Sequence, residues 1–309
     1  EYHTGKRPVI IIPGILGSEL VNAETKERVW INFSTIRGGD GLSLPISPDL
    51  AQNRDKLVAS RIIERAKISS FLPEVSIYEA LIRSMERYGA YTKGDWENPE
   101  AGTGGLDKYY VFAYDWRLDN VENARLLVRR IEELKNKIGN ADLRFNVIAH
   151  SMGGLIARYA AMYGNADLPA GRARPTWAGA RNFDKIFLLG TPNEGSVLSL
   201  KALLNGFSYV GGGLNLPFIQ NISRFDVFTI PSAYQLLPHE GTFIAYDENL
   251  KQMELDIFHP KTWDTYDWSV WKDDDFAKKF DPPEQKSARA YFRAALSRPK
   301  RFQAALDAN

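Results

Sequence analysis

The stretch that decides the fold is Arg144-Phe-Asn-Val-Ile-Ala-His-Ser-Met-Gly-Gly-Leu-Ile-Ala-Arg-Tyr-Ala160. Phe145 to Ala149 is a short apolar run with β-branched members, which is typical of a strand buried on both faces. From Gly153 onward the apolar residues recur at helical spacing. Ser151 lies at the junction, with small residues two positions before and after it. This pattern predicts a tight strand-to-helix turn that exposes the Ser151 hydroxyl at a helix N-terminus, the arrangement of a nucleophile elbow.

Ser151 and His150 each have a plainer interpretation. Ser151 would be a simple helix cap if nothing else converged on it. The adjacent His150 is locked by the turn on the other side of the chain. We therefore interpret His150 as a packed side chain rather than as a catalytic base.

Length and composition restrict the class of protein. The chain has 309 residues, of which 44% are hydrophobic and 12% aromatic, enough for one large core. The formal net charge of +1 gives no attraction to nucleic acid. The absence of cysteine excludes disulfides and cysteine metal sites. Neither a signal peptide nor a transmembrane run is visible, and a start at Glu1 suggests a trimmed N-terminus, so the compartment stays open.

Four predicted strands alternate with predicted helices. The strands are Val9 to Ile12, Tyr109 to Tyr114, Phe145 to Ala149 and Phe183 to Leu189. A clear amphipathic helix begins near Asp119 and ends at Gly139. This alternation predicts a mostly parallel sheet with helices on both faces, in one domain over residues 1–309.

Ligands bind at the carboxyl ends of the strands in such sheets. The residues that follow these ends are therefore the predicted pocket lining around Ser151: Leu16, Asp115, Trp116, Thr191 and Pro192. Asp115 and Arg117 are more simply explained as a structural ion pair at a strand end than as catalytic groups.

Two segments do not fit the strand–helix alternation. Residues 22–56 have little periodicity and are predicted to be a long surface excursion. Residues 195–285 are predicted to be an insertion over the strand ends, either an ordinary helical subdomain or a lid whose apolar underside takes acyl chains. Its aromatic clusters, around Tyr246, Phe258, Trp263 and Trp268–Trp271, are candidates for contact with lipid surfaces. The final segment, from Glu284 to Asp307, is predicted to be two helical pieces broken at Pro299.

Four motifs together resemble the lecithin:cholesterol acyltransferase family of α/β hydrolases, which includes lysosomal phospholipase A2 and bacterial members. They are Pro8-Val-Ile-Ile-Ile-Pro-Gly-Ile-Leu-Gly17, Tyr114-Asp-Trp-Arg117, Ala149-His-Ser-Met-Gly-Gly154 and Leu188-Leu-Gly-Thr-Pro-Asn-Glu-Gly-Ser196. The resemblance implies that Ser151 is the nucleophile and that the amides of Ile15 and Met152 form the oxyanion hole. It implies no metal and no organic cofactor. The cysteines of the vertebrate members are absent, so a disulfide-closed lid is not expected.

The acid and base of the expected triad are not found. They should follow Ser151 in the chain, in the order acid and then histidine. Only His239 and His259 follow it, and both lie in the predicted lid. We therefore expect the sheet to lack its last strands, with acid and base beyond Asn309 or on a partner chain. The rival hypothesis is a triad of His259 with Asp226 or Asp247.

The sequence thus predicts a serine-dependent lipid acyl-ester hydrolase or O-acyltransferase that works through an acyl-Ser151 intermediate, with possible lipid-surface contact through the lid. A triacylglycerol lipase is the alternative within the same class. A non-catalytic lipid-binding module with the same fold is the alternative from another class. The acyl acceptor and the oligomeric state are left open.

Overall fold

The computed structural model of the chain describes residues 6–31, 41–67, 74–101, 105–207 and 222–308. Within these ranges the strands are β1 (Val9–Ile12), β2 (Ser18–Asn22), β3 (Arg28–Trp30), β4 (Leu57–Ile62), β5 (Arg65–Lys67), β6 (Glu74–Ser76), β7 (Thr92–Lys93), β8 (Lys108–Val111), β9 (Phe145–His150), β10 (Phe183–Leu189), β11 (Ala245–Tyr246) and β12 (Gln252–Met253). The α-helices are α1 (Glu79–Arg87), α2 (Asn120–Ile138), α3 (Met152–Tyr163), α4 (Val197–Asn205), α5 (Arg224–Phe228), α6 (Pro231–Gln235), α7 (Pro260–Thr265), α8 (Phe276–Lys279) and α9 (Pro282–Leu306). None of the helices in these ranges is both long and apolar enough to cross a bilayer.

The central sheet has the strand order β10-β9-β1-β8-β7, and each neighbouring pair is parallel. β1 and β10 have the predicted bounds. β8 ends earlier than predicted, because the Tyr114 amide donates to the Ser18 hydroxyl (3.2 Å) and not to a neighbouring strand.

Helices cover both faces of this sheet. Ile10 and Ile12 point into the main core, which they share with the buried sides of α2 and α3. Val9 and Ile11 point to the opposite face and pack with Tyr78 and Ile82 at the start of α1. The predicted fold class, α/β with a mostly parallel sheet wound by helices on both faces, is confirmed.

The caps of α2 explain why its bounds could be predicted. Asp119 accepts a hydrogen bond from the Val121 amide (2.9 Å) at the N-terminus. At the C-terminus, Gly139 adopts φ 77°, the left-handed conformation that ends a helix.

β10 is the outer strand of the described sheet. It pairs with β9 on one side only. Its apolar residues stay partly in solvent, with Phe187 50%, Leu188 38% and Leu189 45% exposed. The sheet therefore has an open apolar edge beside the strand that carries Ser151.

The segment predicted as a surface excursion contains more regular structure than expected. β3 lies in this segment and forms an antiparallel sheet with β2 and β4, which flank the segment in the sequence, and Leu50–Gln52 form a 3-10 helix. The prediction is wrong at Arg28–Trp30 and Leu50–Gln52, because elements of three residues leave no periodicity in a sequence. Residues 32–40 of this segment lie outside the described ranges.

The segment predicted as a lid is helical in most of its described part and carries the small hairpin of β11 and β12. Its aromatic clusters pack inward: Trp263 and Trp271 lie with ring centroids 5.2 and 5.1 Å from that of Phe292 on α9. Phe258 and Trp263 are buried, whereas Tyr246 is 55% exposed. Trp263 and Trp271 therefore pack against α9, and contact of this segment with a lipid surface stays a prediction.

α9 corrects the predicted break at Pro299. The helix runs unbroken from Pro282 to Leu306 with Pro299 inside it. Pro299 is buried, and so are Leu296 and Phe302 on either side. Packing on both sides of the proline holds the helix together despite the lost hydrogen bond.

Candidate active site

Ser151 lies between the end of β9 and the start of α3, at the N-cap position. Its backbone has φ 51° and ψ −126°, a conformation that costs energy for a residue with a side chain. Two hydrogen bonds hold it: the Ser151 amide donates to the Leu189 carbonyl (2.8 Å), and the Gly154 amide donates to the Ser151 carbonyl (3.0 Å). The hydroxyl itself does not cap the helix.

The residues two positions before and two positions after Ser151 are small, and packing explains why. Ala149 is fully buried in the sheet. A Cβ on Gly153 would lie 2.5 Å from the Pro13 carbonyl oxygen and 2.8 Å from that of Ile12. The local sequence pattern therefore has a steric cause, the close approach of α3 to the end of β1.

The loop after β1, residues 13–17, lies directly against Ser151. A Cβ on Gly14 would lie 2.8 Å from Ser151 Cβ and 3.3 Å from Ser151 Oγ. The next amide along, that of Ile15, makes no hydrogen bond to any described residue. Met152 is the first residue of α3, where backbone amides have no partner within the helix. Ile15 thus follows the glycine that lies against Ser151, and Met152 follows Ser151 itself. The role of their amides in an oxyanion hole stays a prediction.

Ser151 opens into an apolar cavity of about 330 Å³. Of the residues predicted to line a pocket, Leu16, Trp116 and Pro192 do so, and Ile15 joins them. The other lining residues come mainly from the segment after β10 and are mostly apolar: Gly190, Ser196, Leu198, Ser199, Ala202, Phe207, Ile222, Val227, Ile230, Ala233 and Leu236. A larger cavity, about 610 Å³, lies away from Ser151 among Arg172, Arg174 and the end of α9.

The cavity wall from α4 to α6 was not predicted residue by residue. Its only sequence signal is a high content of leucine and phenylalanine after residue 195. That signal could not tell which side chains face Ser151, because α4, α5 and α6 are short and contact one another.

Asp115 and Thr191 are not among the residues that line this cavity. Asp115 is buried and binds the Arg117 guanidinium, at 3.0 Å to Nε and 2.8 Å to Nη2. Thr191 packs over α3, where a Cβ on Gly154 would overlap its side chain. The Thr191 hydroxyl is buried and has no hydrogen-bond partner among the described residues.

Arg117 is fully buried and also binds Asp55 and the Leu42 carbonyl. Burial alone would lower the pKa of Arg117, but the charges and hydrogen bonds of Asp115 and Asp55 outweigh it and raise the pKa above its ordinary value. The group therefore remains charged and ties three segments of chain together, as a structural ion pair would.

Each histidine of the described residues already has another contact. His150 Nδ1 lies 2.8 Å from the Tyr78 hydroxyl. His239 Nδ1 lies 3.3 Å from Asp307 and 3.6 Å from Glu194. His259 caps α7, where its Nδ1 accepts from the Lys261 amide (3.1 Å).

The rival triad does not find its acid either. Asp226 is buried in the capping box of α5 and pairs with Lys279 (2.6 Å). Asp247 accepts hydrogen bonds from backbone amides in the turn between β11 and β12. Both carboxylates and the His259 ring nitrogen are thus occupied by local contacts, and the described residues give no support to a His259 triad.

A parallel α/β sheet with a serine at a tight turn from an inner strand to a helix defines the α/β-hydrolase class. The sequence model of the lecithin:cholesterol acyltransferase family matches residues 105–280, more than half of the chain. The chain belongs to this family.

The chain is also similar to two known proteins. The uncharacterized protein YJR098C of Saccharomyces cerevisiae is 25% identical over 271 residues, which cover 83% of this chain and 33% of the yeast protein. The chain thus spans about a third of the length of this relative. One chain of the crystal structure of the Tle4–Tli4 complex has a TM-score of 0.56 and 17% identity over 98% of this chain and 72% of that chain. At that identity the likeness concerns the fold alone.

Proposed function

We propose that the chain is the core of a lipid acyl-ester hydrolase or O-acyltransferase in which Ser151 is the nucleophile. Membership of the lecithin:cholesterol acyltransferase family supports acyl-ester chemistry in general. The observation that carries the serine mechanism is the position of Ser151, on a strained strand-to-helix turn at the wall of an apolar cavity.

In the proposed reaction Ser151 Oγ attacks the ester carbonyl carbon while a general base takes the hydroxyl proton. The bond from that carbon to the alcohol oxygen then breaks, and the alcohol leaves with the proton. Water or a second alcohol attacks the acyl-Ser151 ester and regenerates the serine. Water gives hydrolysis, and an alcohol gives acyl transfer.

The amides of Ile15 and Met152 would bind the negatively charged oxygen of the tetrahedral intermediate. The position of the two residues supports this role. Met152 follows Ser151 directly, and Ile15 belongs to the loop that contacts Ser151. Each should lie about 3 Å from the place that this oxygen occupies. The N-terminus of α3 would add its positive partial charge.

The apolar cavity is the proposed acyl-chain site. Its wall combines Leu16 and Trp116 from the sheet side with Leu198, Val227 and Ile230 from the segment 195–285. That segment is therefore proposed as a lid over Ser151. Only its part up to Leu236 borders the cavity, and the rest packs against α9.

We place the acid and the base outside the described residues. The support is that His150, His239 and His259 are each held by other groups. The open edge of β10 offers a position for a further strand. A parallel strand paired there would end at the same edge of the sheet as Ser151.

A covalent alkyl fluorophosphonate tests this function, because only an activated serine reacts with it. We expect the wild type to gain the mass of one adduct, mapped to Ser151 by peptide mass spectrometry, and Ser151→Ala to gain none. The matched control is Ser199→Ala, which removes another hydroxyl at the same cavity and should leave labelling intact. Failure of the full-length wild type to label would contradict the serine mechanism and favour the non-catalytic lipid-binding alternative.

A further inference from the structure

The loop after β1 is held in place by aromatic side chains from distant parts of the chain. Three backbone groups of residues 13–17 bind them: the Pro13 carbonyl accepts from the Tyr114 hydroxyl (2.8 Å), the Leu16 carbonyl accepts from Trp30 Nε1 (3.0 Å), and the Gly14 amide donates to the Tyr78 hydroxyl (2.8 Å). Within the loop, the Gly17 amide donates to the Gly14 carbonyl (3.1 Å). These contacts fix the loop on both sides of Ile15 without using the Ile15 amide.

Tyr78 differs from the other two aromatics because it also touches the strand that carries the nucleophile. Its hydroxyl lies 2.8 Å from the His150 Nδ1, and the two rings meet edge to face with centroids 5.6 Å apart. One hydroxyl thus joins the Gly14 amide to the residue immediately before Ser151. Tyr78 is itself buried, only 6% exposed.

Donor counting fixes the direction of the Gly14–Tyr78 bond and favours one direction for the bond from Tyr78 to His150. A tyrosine hydroxyl has one hydrogen to donate, and an amide can only donate. Gly14 donates to the Tyr78 oxygen, and His150 Nδ1 is the other polar atom of the described residues that binds this hydroxyl, so we infer that the Tyr78 hydrogen goes to His150 Nδ1. With this direction, a neutral His150 carries its own hydrogen on Nε2. The neutral ring suits this role, and partial burial lowers the pKa of His150 below its ordinary value.

We propose that Tyr78 is a positioning residue of the Ser151 site: its hydroxyl sets the Ile15 amide relative to the Ser151 hydroxyl by tying Gly14 to His150. This role rests on the proposed function. Gly14 lies against Ser151, so a small shift of the loop would change the distance between the Ile15 amide and the Ser151 hydroxyl. The Tyr78 ring also packs near Gly17, where an added Cβ would lie 3.1 Å from the Tyr78 ring.

Removal of the hydroxyl alone separates positioning from packing. Tyr78→Phe keeps the ring in its buried place but leaves the Gly14 amide and His150 Nδ1 without their shared partner. The matched control is Tyr91→Phe. Tyr91 packs against the same side of the sheet, but its hydroxyl donates to the Arg7 carbonyl (3.1 Å), away from the loop.

The first measurement needs no activity. At pH 7.5, long-range ¹H–¹⁵N spectra of the full-length protein, assigned with His150→Gln, should show the His150 hydrogen on Nε2 and a hydrogen-bonded Nδ1. Tyr78→Phe should shift the Nδ1 signal and speed hydrogen exchange of the Gly14 amide, whereas Tyr91→Phe should change neither. A wild-type His150 protonated on Nδ1, or Gly14 exchange unchanged in Tyr78→Phe, would overturn the proposal.

The second measurement is the rate of fluorophosphonate labelling as a function of probe concentration. Tyr78→Phe should lower the limiting rate constant about tenfold to a hundredfold and leave the half-saturating concentration unchanged, because the Ile15 amide is misplaced while the acyl site is intact. Equal limiting rates in Tyr78→Phe and wild type would refute the positioning role. A wild type that does not label contradicts the proposed function instead, and the spectra then decide whether the Tyr78 bridge exists.

Discussion

The Gly153 Cα faces the Pro13 carbonyl so closely that a Cβ on Gly153 would lie 2.5 Å from that oxygen. The turn that carries Ser151 and the loop that carries the Ile15 amide are therefore pressed together at one point. Backbone meets backbone there, so neither side can yield by a change of rotamer. This contact sets the distance between the candidate nucleophile and the candidate oxyanion hole.

Gly153→Ala should force this contact apart. We expect a loss of about 1–3 kcal/mol in the free energy of unfolding, typical of overpacking, and slower labelling of Ser151. Urea unfolding and labelling kinetics measure the two effects. Gly171→Ala is the control, because a Cβ there would meet no atom within 4 Å. Equal stability of Gly153→Ala and wild type would mean that the contact is looser than the structure has it.

Arg117→Met should destabilise the protein by about 3–5 kcal/mol. The substitution leaves the carboxylates of Asp115 and Asp55 without their buried partner. Urea unfolding measures this loss. Arg181→Met is the control: Arg181 also pairs with a carboxylate, Glu132, but is 72% exposed, and we expect a change below about 1 kcal/mol. A loss as small as that of the control would argue against a structural role for Arg117.

Ala202→Phe should shorten the acyl chain that the site accepts. Ala202 lies on α4 and borders the cavity, so a phenyl ring would fill part of its 330 Å³. For the full-length enzyme on soluble p-nitrophenyl esters, kcat/KM should fall for long chains and change little for short ones. Ala304→Phe on the exposed side of α9 should change neither value. An equal fall for all chain lengths would place the acyl chain elsewhere.

Leu198→Asp tests lipid-surface contact beside the cavity. Leu198 is 70% exposed although it borders the cavity, and its neighbour Val197 is 59% exposed. A charge there should reduce binding to phosphatidylcholine vesicles in a flotation assay. Leu250→Asp is the control, since Leu250 is 82% exposed in the turn between β11 and β12. Vesicle binding reduced equally by both variants would contradict a contact specific to α4.

The stability of the protein should depend on pH through His150. Partial burial lowers the pKa of His150 below its ordinary value of 6.5, so the unfolded chain binds this proton more tightly than the folded chain. The contribution of the neutral His150 ring to the free energy of unfolding is complete above about pH 6.5. It is lost as the pH falls toward the pKa of His150 in the folded protein. Urea midpoints at pH 7.5, 6.5 and 5.5 should therefore fall more for wild type than for His150→Gln. Parallel curves would show that His150 does not titrate in this way.

Local rules explain what could be predicted along the chain. β-branched runs and a proline-glycine stop mark β1, and a capping aspartate and a left-handed glycine bound α2. The local rules fail at Pro299, because buried side chains of α9 override the propensity of proline to break a helix.

The candidate site also has features that local rules predict and features that they do not. The turn at Ser151 was predictable because it needs small residues two positions before and after the serine, a pattern that five consecutive residues contain. For Asp115 and Thr191 the position at a strand end does not fix where the side chain points, so the residues each side chain contacts could not be predicted. The Asp115 carboxylate binds Arg117, and the Thr191 side chain packs against α3.

The sequence by itself determined the parallel α/β sheet, the family and the turn that presents Ser151, since these depend on patterns within single segments. The tertiary structure alone decided which residues enclose the cavity and which hold the loop after β1. Tyr78 stands 64 residues from Gly14 and 72 from His150 in the chain, yet one hydroxyl binds both. Contacts of that kind arise from the packing of distant segments, and no local spacing of residues encodes them.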